Sequence, residues 1–347
     1  MHFIDFITIV RYAWLAYDPS RSIKSISDIS AKVSTNHVYK IIFEDKSFVI
    51  AKLSYFGKHE HFVEDHTIIN VMANNLPTPF ENFLARSLMK GTELFVHRFT
   101  NDLIDAWVIF YNPVKIKKRM PKRLDEKEIR NLARQFANFH KTCHSIRNTL
   151  PKSTKTLRYD LKHLLDILDS DFGQFEHRNN AKVIREQCAL FFENQQKLGA
   201  LDFPKIPVFV DWNIGNFSME RSGKLFSRWD YDWFRMSSRM MDFYFLSRVV
   251  SDIGDRTVFT YNIGPMMEDR FILFLKEYHQ IFPFSEAEIR FLKEVYRFFI
   301  LNYVIKDGRY FFHEIYASKL QQEAYEVHFP ALEKGFDADH ILKALNI

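Results

Sequence analysis

The chain has 347 residues, enough for one large domain or for two lobes around a sizeable core. Its composition is 47% hydrophobic and 26% charged, with a net charge of +5, which excludes a disordered chain and gives no strong electrostatic signal for a nucleic-acid partner. Only Cys143 and Cys188 are present, which excludes a disulfide framework and is typical of a reducing compartment, so we expect a cytoplasmic protein. Nothing in the sequence indicates an oligomeric state.

The first element predicted is a helix. Residues 1–17 are apolar but contain Asp5 and Arg11 and lack a basic leader. This pattern predicts an amphipathic helix rather than a membrane span or a cleaved signal.

A sheet is predicted after this helix. The runs HVYKIIF and SFVIAKL (residues 37–43 and 47–53) are rich in β-branched and aromatic residues and are joined by a short polar turn. Three further stretches between residues 80 and 111, FENFLARSLM, ELFVHRF and AWVIFY, continue the strand-like pattern. Residues 62–76 lie between these groups, have helical spacing and end before Pro77.

The pattern becomes helical after Pro113. Asp125 and Glu128 resemble a capping box, and an apolar stripe at helical spacing follows them. Further helices are predicted at residues 159–167, 183–192, 266–282 and 314–329, and another from residue 285 onward that Ser285 and Glu288 open in the same way. We therefore expect an α+β protein with two lobes: a strand-rich N-terminal lobe at residues 1–111 and a mostly helical C-terminal lobe at residues 112–347. The basic run KIKKRMPKR at residues 115–123 predicts a solvated connection, with docking of an anionic partner as the alternative.

The segment VFVDWNIGNFSMERSGKLFSRWDYDWF, residues 208–234, has the strongest chemical signal. Asp211 and Asn216 lie five residues apart, before a predicted hairpin whose return strand stops at Asp230, with Asp232 two residues on. Phosphoryl transfer needs one carboxylate to accept the proton of a hydroxyl, and an amide with a second carboxylate to bind magnesium. Kinase catalytic loops have an Asp and an Asn at this offset, followed later by a metal-binding Asp. Turn formation and strand capping are the alternative roles.

Two features of the N-terminal lobe favour a phosphoryl-transfer site over turn formation and strand capping. Lys52 lies late in a predicted strand, the context of a phosphate-anchoring lysine, and Glu64 on the following helix is its expected acidic partner. The apolar strand at residues 106–111 runs directly into the connection between the lobes, where kinases bind adenine through backbone groups. The residues expected to contact adenine are Phe110, Tyr111 and Asn112.

Two other features have mainly structural interpretations. Asp242 lies in the apolar run MMDFYFL and predicts a buried acid that accepts hydrogen bonds from the catalytic loop backbone or pairs with Arg235. The aromatic residues near the site predict core packing, with cation–π binding of a quaternary ammonium group as the alternative. They are Trp212, Trp229, Tyr231, Trp233 and Phe234.

Taken in order, these motifs resemble the aminoglycoside phosphotransferase and choline kinase-like family of small-molecule kinases. Its His-Gly-Asp-x-x-x-x-Asn loop is similar to FVDWNIGN at residues 209–216, its Ile-Asp-Trp/Phe-Glu strand end to WDYD at 229–232, and its Asp-Leu-Ala helix start to MDF at 241–243. Its Ser-x-Asn-x-x-Tyr-x-Val segment is similar to residues 34–41, with Asn36 and Tyr39 in matching positions, and its Leu-Ala-x-Leu-His helix end to FANFH at 136–140. The resemblance covers residues 20–255.

The resemblance implies a bilobal, protein kinase-like fold, with ATP and Mg²⁺ as cofactors and a hydroxyl group as acceptor. Asp211 would be the base; Asn216 and Asp230, helped by Asp232, would bind the metal ion; and Asn36 and Lys52 would contact the nucleotide. Two loop residues depart from the family pattern, since its histidine and glycine are Phe209 and Val210 here.

We therefore expect an ATP-dependent phosphotransferase acting on a hydroxyl of a small molecule such as an amino alcohol, a sugar or a hydroxy amino acid. A kinase acting on a protein or a lipid-linked glycan is one alternative, and a nucleotide-binding pseudokinase that serves as an interaction module is another. Loss of acceptor-dependent phosphate release in Asp211→Asn would exclude the module.

Overall fold

The computed structural model describes residues 5–31, 36–253 and 260–347. The Ser34 position of the Ser-x-Asn motif lies outside these residues. None of the helices in the described ranges is both long and apolar enough to cross a membrane.

An antiparallel sheet of five strands forms the N-terminal part of the described chain, in the order β1-β2-β3-β7-β6. Two short strands, β4 and β5, form a separate ribbon. The bounds are β1 Ile23–Asp28, β2 His37–Phe43, β3 Phe48–Ser54, β4 Met89–Lys90, β5 Glu93–Leu94, β6 Val96–Thr100 and β7 Asp105–Tyr111.

Two helices accompany this sheet. The helix α1, Phe6–Tyr17, packs with the sheet around a core that includes Trp14, Ile41 and Phe110. Asp5 caps it by accepting a hydrogen bond from Ile7. The helix α2, His59–Asn75, follows β3 and ends just before Pro77, as the sequence predicts.

The prediction of a strand over residues 80–89 is wrong for most of this stretch. Phe80 and Phe83 turn into the core of the helical part. Residues 80–88 meet other strands through isolated bridges, such as the one between Ser87 and Tyr111, and Met89 begins the short strand β4. The aromatic side chains here pack against Phe139 of a helix in the C-terminal part, so burial outweighs local strand propensity.

The C-terminal part is mostly helical. Its α-helices are α3 Glu126–Ile146, α4 Leu157–Asp169, α5 Asp171–Glu176, α6 Ala181–Lys197, α7 Phe243–Val250, α8 Asp269–His279, α9 Glu286–Phe299, α10 Gly308–Phe311, α11 Glu314–Glu323, α12 Phe329–Gly335 and α13 Ala338–Leu345, with π-helical segments at Ile300–Lys306 and Ala324–His328. The capping boxes predicted from Asp125 with Glu128 and from Ser285 with Glu288 are both present. The α+β bilobal prediction is confirmed.

Two small antiparallel pairs lie within this helical part and carry the candidate loops. The strands β9 Phe217–Met219 and β10 Leu225–Arg228 form the predicted hairpin, and β8 Ile206–Val208 pairs with β11 Arg235–Ser237. The loop at residues 209–216 therefore leaves β8 and enters β9, while the loop at residues 229–234 leaves β10 and enters β11. This topology places both loops at one end of the two pairs.

Candidate active site

Lys52 enters the site because of strand alternation. On β3 the side chains of Ala51 and Leu53 belong to the core beneath α1, so Lys52 points to the opposite face of the sheet. It is only 5% exposed, and its Nζ donates to Asp230 Oδ1 at 3.1 Å and to Asp232 Oδ1. Burial opposes the positive charge, but the two carboxylates outweigh this effect and raise the pKa of Lys52. Lys52 therefore remains a cation in contact with Asp230 and Asp232.

The two carboxylates next to Lys52 differ in character. Loss of solvent around Asp230 in the cleft opposes its charge, yet Lys52 holds the pKa of this carboxyl below its ordinary value. Burial raises the pKa of Asp232 to about 6, and the neighbouring charge of Asp230 adds to this effect. Asn36 lies at the same point, because its Nδ2 donates to Asp232 Oδ2 at 2.7 Å. Two acids, a lysine and an amide thus converge here.

The second part of the site is the loop at residues 209–216. Asn216 Nδ2 donates to Asp211 Oδ2 at 3.0 Å, and the backbone N–H of Asn213 donates to Asp211 Oδ1 at 3.2 Å. The hairpin joins this loop to the acids, since Trp229 N donates to the carbonyl of Asn216 at 3.0 Å. The structure thus brings Asp211, Asn216 and Asp230 together at one end of the hairpin.

Asp242 fixes the beginning of this loop. Its Oδ1 accepts from the backbone N–H groups of Phe209 and Val210 at 3.0 and 2.7 Å, and its Oδ2 accepts from His140 Nε2 at 3.0 Å. Val210 has φ of 61°, a strained value for a β-branched residue, and persists because the loop is held from outside. Of the two partners predicted for Asp242, the loop backbone is the one observed; Arg235 pairs with Asp160 instead.

Replacing Asp242 by alanine is expected to lower the free energy of unfolding by about 3 kcal/mol or more. The change would leave two backbone N–H groups and His140 buried without an acceptor, at about 1–3 kcal/mol each. Urea unfolding followed by circular dichroism measures this loss. Asp102→Ala, at an exposed loop position, is the matched control and is expected to change stability little. A loss below 1 kcal/mol in Asp242→Ala would contradict the bracing role.

The structure does not bring Glu64 to Lys52, so this part of the sequence prediction is wrong. Glu64 accepts hydrogen bonds from the side chains of Ser153 and Thr154 at 2.6 and 2.8 Å, and from the backbone of Thr154 at 2.9 Å. These donors lie just before α4. Because Asp230 and Asp232 already pair with Lys52, the lysine has its acidic partners without α2.

Two of the residues predicted to contact adenine use their backbone groups for hydrogen bonds within the protein. The carbonyl of Phe110 accepts from Leu88 N at 2.8 Å, and Asn112 N donates to the carbonyl of Arg86 at 2.9 Å. The N–H of Asn112 is therefore already used within the chain. The irregular stretch before β4, which the sequence predicts as a strand, forms hydrogen bonds with the backbone of Phe110 and Asn112. These backbone groups are open to it because the pairing between β6 and β7 ends at Ile109.

Tyr111, the third of these residues, contributes a side-chain contact that sequence reasoning missed. Its hydroxyl donates to His66 Nε2, while His66 Nδ1 donates to the carbonyl of Phe62 at 2.8 Å. Burial lowers the pKa of His66 to about 3, so this histidine is neutral. A histidine on an apolar helix face carries little signal in the sequence, and the pairing shows that it links α2 to the end of β7.

Arg228 is the second residue that the sequence analysis missed. This arginine is fully buried, and its Nη2 donates to the carbonyl of Asp211 at 2.9 Å and to that of Asp230 at 3.3 Å. Its signal in the sequence was a single basic residue in the otherwise apolar strand end LFSRW.

A cavity of about 320 Å³ lies beside Asp232. Its walls are formed by residues of α2, α4, β11 and the π-helical segment Ile300–Lys306. Charged side chains in these walls pair with one another. Lys155 donates to Asp65, Arg235 to Asp160, and Lys306 to Asp307 at 3.2 Å. An aromatic wall comes from Trp233, whose ring stacks on Tyr303 at 4.6 Å between centroids. Of the aromatic residues named from the sequence, Tyr231, Trp233 and Phe234 line this cavity, whereas Trp212 packs in the core.

The donor atoms at the site fit a hard divalent cation. Asp230 and Asp232 offer carboxylate oxygens, with side-chain exposures of 40% and 21%, and the Asn216 amide, whose nitrogen donates to Asp211, offers its oxygen. Within the described ranges there is no group of three His, Cys, Asp or Glu side chains that could hold a metal ion alone. Magnesium does not need one, because it typically binds one or two carboxylates together with water and phosphate oxygens.

Comparison with solved structures agrees with this arrangement of lobes. The amicoumacin kinase hAmiN, in complex with AMP-PNP, Ca²⁺ and Ami, is similar with a TM-score of 0.63 and 14% identity over 97% of each chain. A microcompartment-associated aminopropanol kinase has a TM-score of 0.60 and 16% identity over 96% of this chain and 99% of its own. The gentamicin complex of APH(2")-IIa has a TM-score of 0.57 and 14% identity over 97% and 100%, respectively.

Comparisons of the sequence alone add nothing further. No family model matches it, and no curated protein matches it. At 14–16% identity the structural similarity establishes the fold. The chain has the bilobal fold of the aminoglycoside phosphotransferase-like small-molecule kinases.

Proposed function

We propose that this protein is an ATP- and Mg²⁺-dependent phosphotransferase that moves the γ-phosphate to a hydroxyl of a small molecule. The observation that carries the proposal is the meeting of Lys52, Asp230 and Asp232 next to the loop of Asp211 and Asn216. A cation beside two acids and an amide fits a triphosphate with its metal ion, and a further carboxylate fits an attacking hydroxyl.

Each of these residues has a defined role in the proposal. Lys52 binds phosphate oxygens, and Asp211 orients the acceptor hydroxyl and accepts its proton as the oxygen attacks the γ-phosphorus and ADP leaves. Asp230, Asn216 and Asp232 would hold the cation. When bound, Mg²⁺ neutralises charge on the phosphates during transfer.

The acceptor is proposed to be a small molecule because the space beside Asp232 is a bounded cavity. Its volume of about 320 Å³ lies at the lower end of the range of small-molecule pockets. The charges in its walls are paired within the protein, so an acceptor with many positive charges would find no excess of acid there. The neighbours support this class, since the aminopropanol kinase and the amicoumacin kinase are named for small acceptors.

Transfer of ³²P from [γ-³²P]ATP tests the proposal. The acceptors to compare are amino alcohols, sugars, hydroxy amino acids and aminoglycosides, with a mixed protein preparation and a lipid-linked glycan as alternatives. We expect Mg²⁺-dependent transfer to a small molecule and none when EDTA is added. Transfer only to protein or to the glycan would contradict a small-molecule acceptor. Nucleotide binding without any transfer would favour an interaction module.

A further inference from the structure

Arg228 is a buried cation, and the free-energy cost of burying its charge needs an explanation. It lies at the end of β10, and its guanidinium carbon is 4.1 Å from the ring centroid of Trp212 and 4.6 Å from that of Phe209. Within the described part of the chain, its Nε and Nη1 have no hydrogen-bond partner. An apolar side chain of similar size would fill this space without burying a charge, so packing alone does not account for arginine here.

The contacts of Arg228 connect the two loops of the site. A single nitrogen, Nη2, donates both to the carbonyl of Asp211 and to the carbonyl of Asp230, at 2.9 and 3.3 Å. The hydrogen bonds therefore join the backbone of the proposed base to the backbone of a proposed metal ligand. Asp230 has φ of 67°, so its carbonyl is held in a left-handed turn that a donor on this side supports.

The backbone of Arg228 is itself fixed on both sides. Its N–H donates to the carbonyl of Phe83 at 2.6 Å, and its carbonyl accepts from Ala85 N at 2.9 Å and from the Tyr231 hydroxyl at 3.1 Å. The guanidinium is therefore presented to the loops from a rigid point, and the Phe209 and Trp212 rings restrict its rotation.

We infer that Arg228 is a positioning residue that sets the separation of Asp211 and Asp230. Phe209 supplies a ring beneath the guanidinium at the loop position where the resembled family has histidine. This inference rests on the proposed function, because it assigns the spacing of base and metal ligand a role in phosphoryl transfer. A displacement of about 1 Å at reacting groups costs on the order of 100-fold in rate.

Arg228→Met and Arg228→Lys test the inference. Methionine fills the space without a donor, and lysine keeps the charge but not the planar fork of donors. We expect kcat to fall about 100-fold in Arg228→Met with the KM of the acceptor changed less than about 3-fold, and to fall less in Arg228→Lys. Arg221→Met, in the exposed hairpin turn, is the matched control and is expected to keep wild-type kcat.

Hydrogen–deuterium exchange provides a readout independent of turnover. In Arg228→Met the amides of residues 211–213 and 230–232 are expected to exchange at least about 10-fold faster, while those of β2 and β3 keep their protection. Unchanged exchange in these two loops would overturn the inference whether or not the wild-type enzyme transfers phosphate. If methionine prevents folding, the same comparison is made with Arg228→Lys. A wild-type protein without transferase activity would instead overturn only the proposed function.

Discussion

Asp211→Asn is expected to lower acceptor-dependent phosphate transfer by about 10²–10⁴-fold. Asparagine has nearly the same shape as aspartate but cannot accept the proton of the attacking hydroxyl at neutral pH. Because Asp211 is held by Asn213 and Asn216 rather than by Lys52, nucleotide affinity is expected to change little. Initial rates at saturating ATP and acceptor measure the loss, and equilibrium binding of AMP-PNP measures the affinity.

Asp202→Asn is the matched control for this substitution. Asp202 is exposed in the connection before β8, and its replacement by asparagine removes the same charge away from the cleft. Wild-type turnover is expected in this variant. An Asp211→Asn protein that retained more than a tenth of wild-type kcat would show that Asp211 is not the base.

Lys52→Met is expected to reduce turnover by about 10²–10³-fold and to weaken ATP binding. The substitution removes the cation that binds the phosphates, and it leaves Asp230 beside Asp232 with no positive charge between them. The thermal midpoint of the nucleotide-free protein is expected to fall, because the remaining carboxylates lose their partner. Titration calorimetry with AMP-PNP and a thermal melt measure the two effects.

A double variant separates these effects. Adding Asp232→Asn to Lys52→Met removes one of the unpaired charges, so the thermal midpoint is expected to rise again while turnover stays low. Lys24→Met, exposed on β1 of the same sheet, controls for loss of a lysine. Recovery of turnover in the double variant would contradict the phosphate-binding role of Lys52.

The sequence predicted the fold best where local chemistry determines it. Capping boxes, the stop before Pro77 and the hairpin at residues 217–228 depend on neighbouring residues, and they are present as predicted. Strand alternation places Lys52 on the face of β3 opposite Ala51 and Leu53, and the hairpin brings Asp230 to the end where Asn216 lies. The contact between Lys52 and Asp230 joins distant segments, and the resemblance to a kinase family is what implies it.

Contacts between distant segments could not be predicted in the same way. The position of Glu64 on α2 predicts a pairing with Lys52, but the donors that Glu64 contacts come from residues 153–154. The position of Phe110 and Asn112 predicts adenine contacts, yet residues 86–88 form hydrogen bonds with their backbone groups. The role of Arg228 has no signature in the sequence, because its partners are backbone carbonyls.

A crystal structure with AMP-PNP and Mn²⁺ tests the central claim most directly, because anomalous scattering locates Mn²⁺ without ambiguity. We expect a manganese peak bound by Asp230 and Asn216, with phosphate oxygens at Lys52 and the γ-phosphate facing Asp211. A nucleotide bound elsewhere, or a metal ion that none of these side chains contacts, would contradict it.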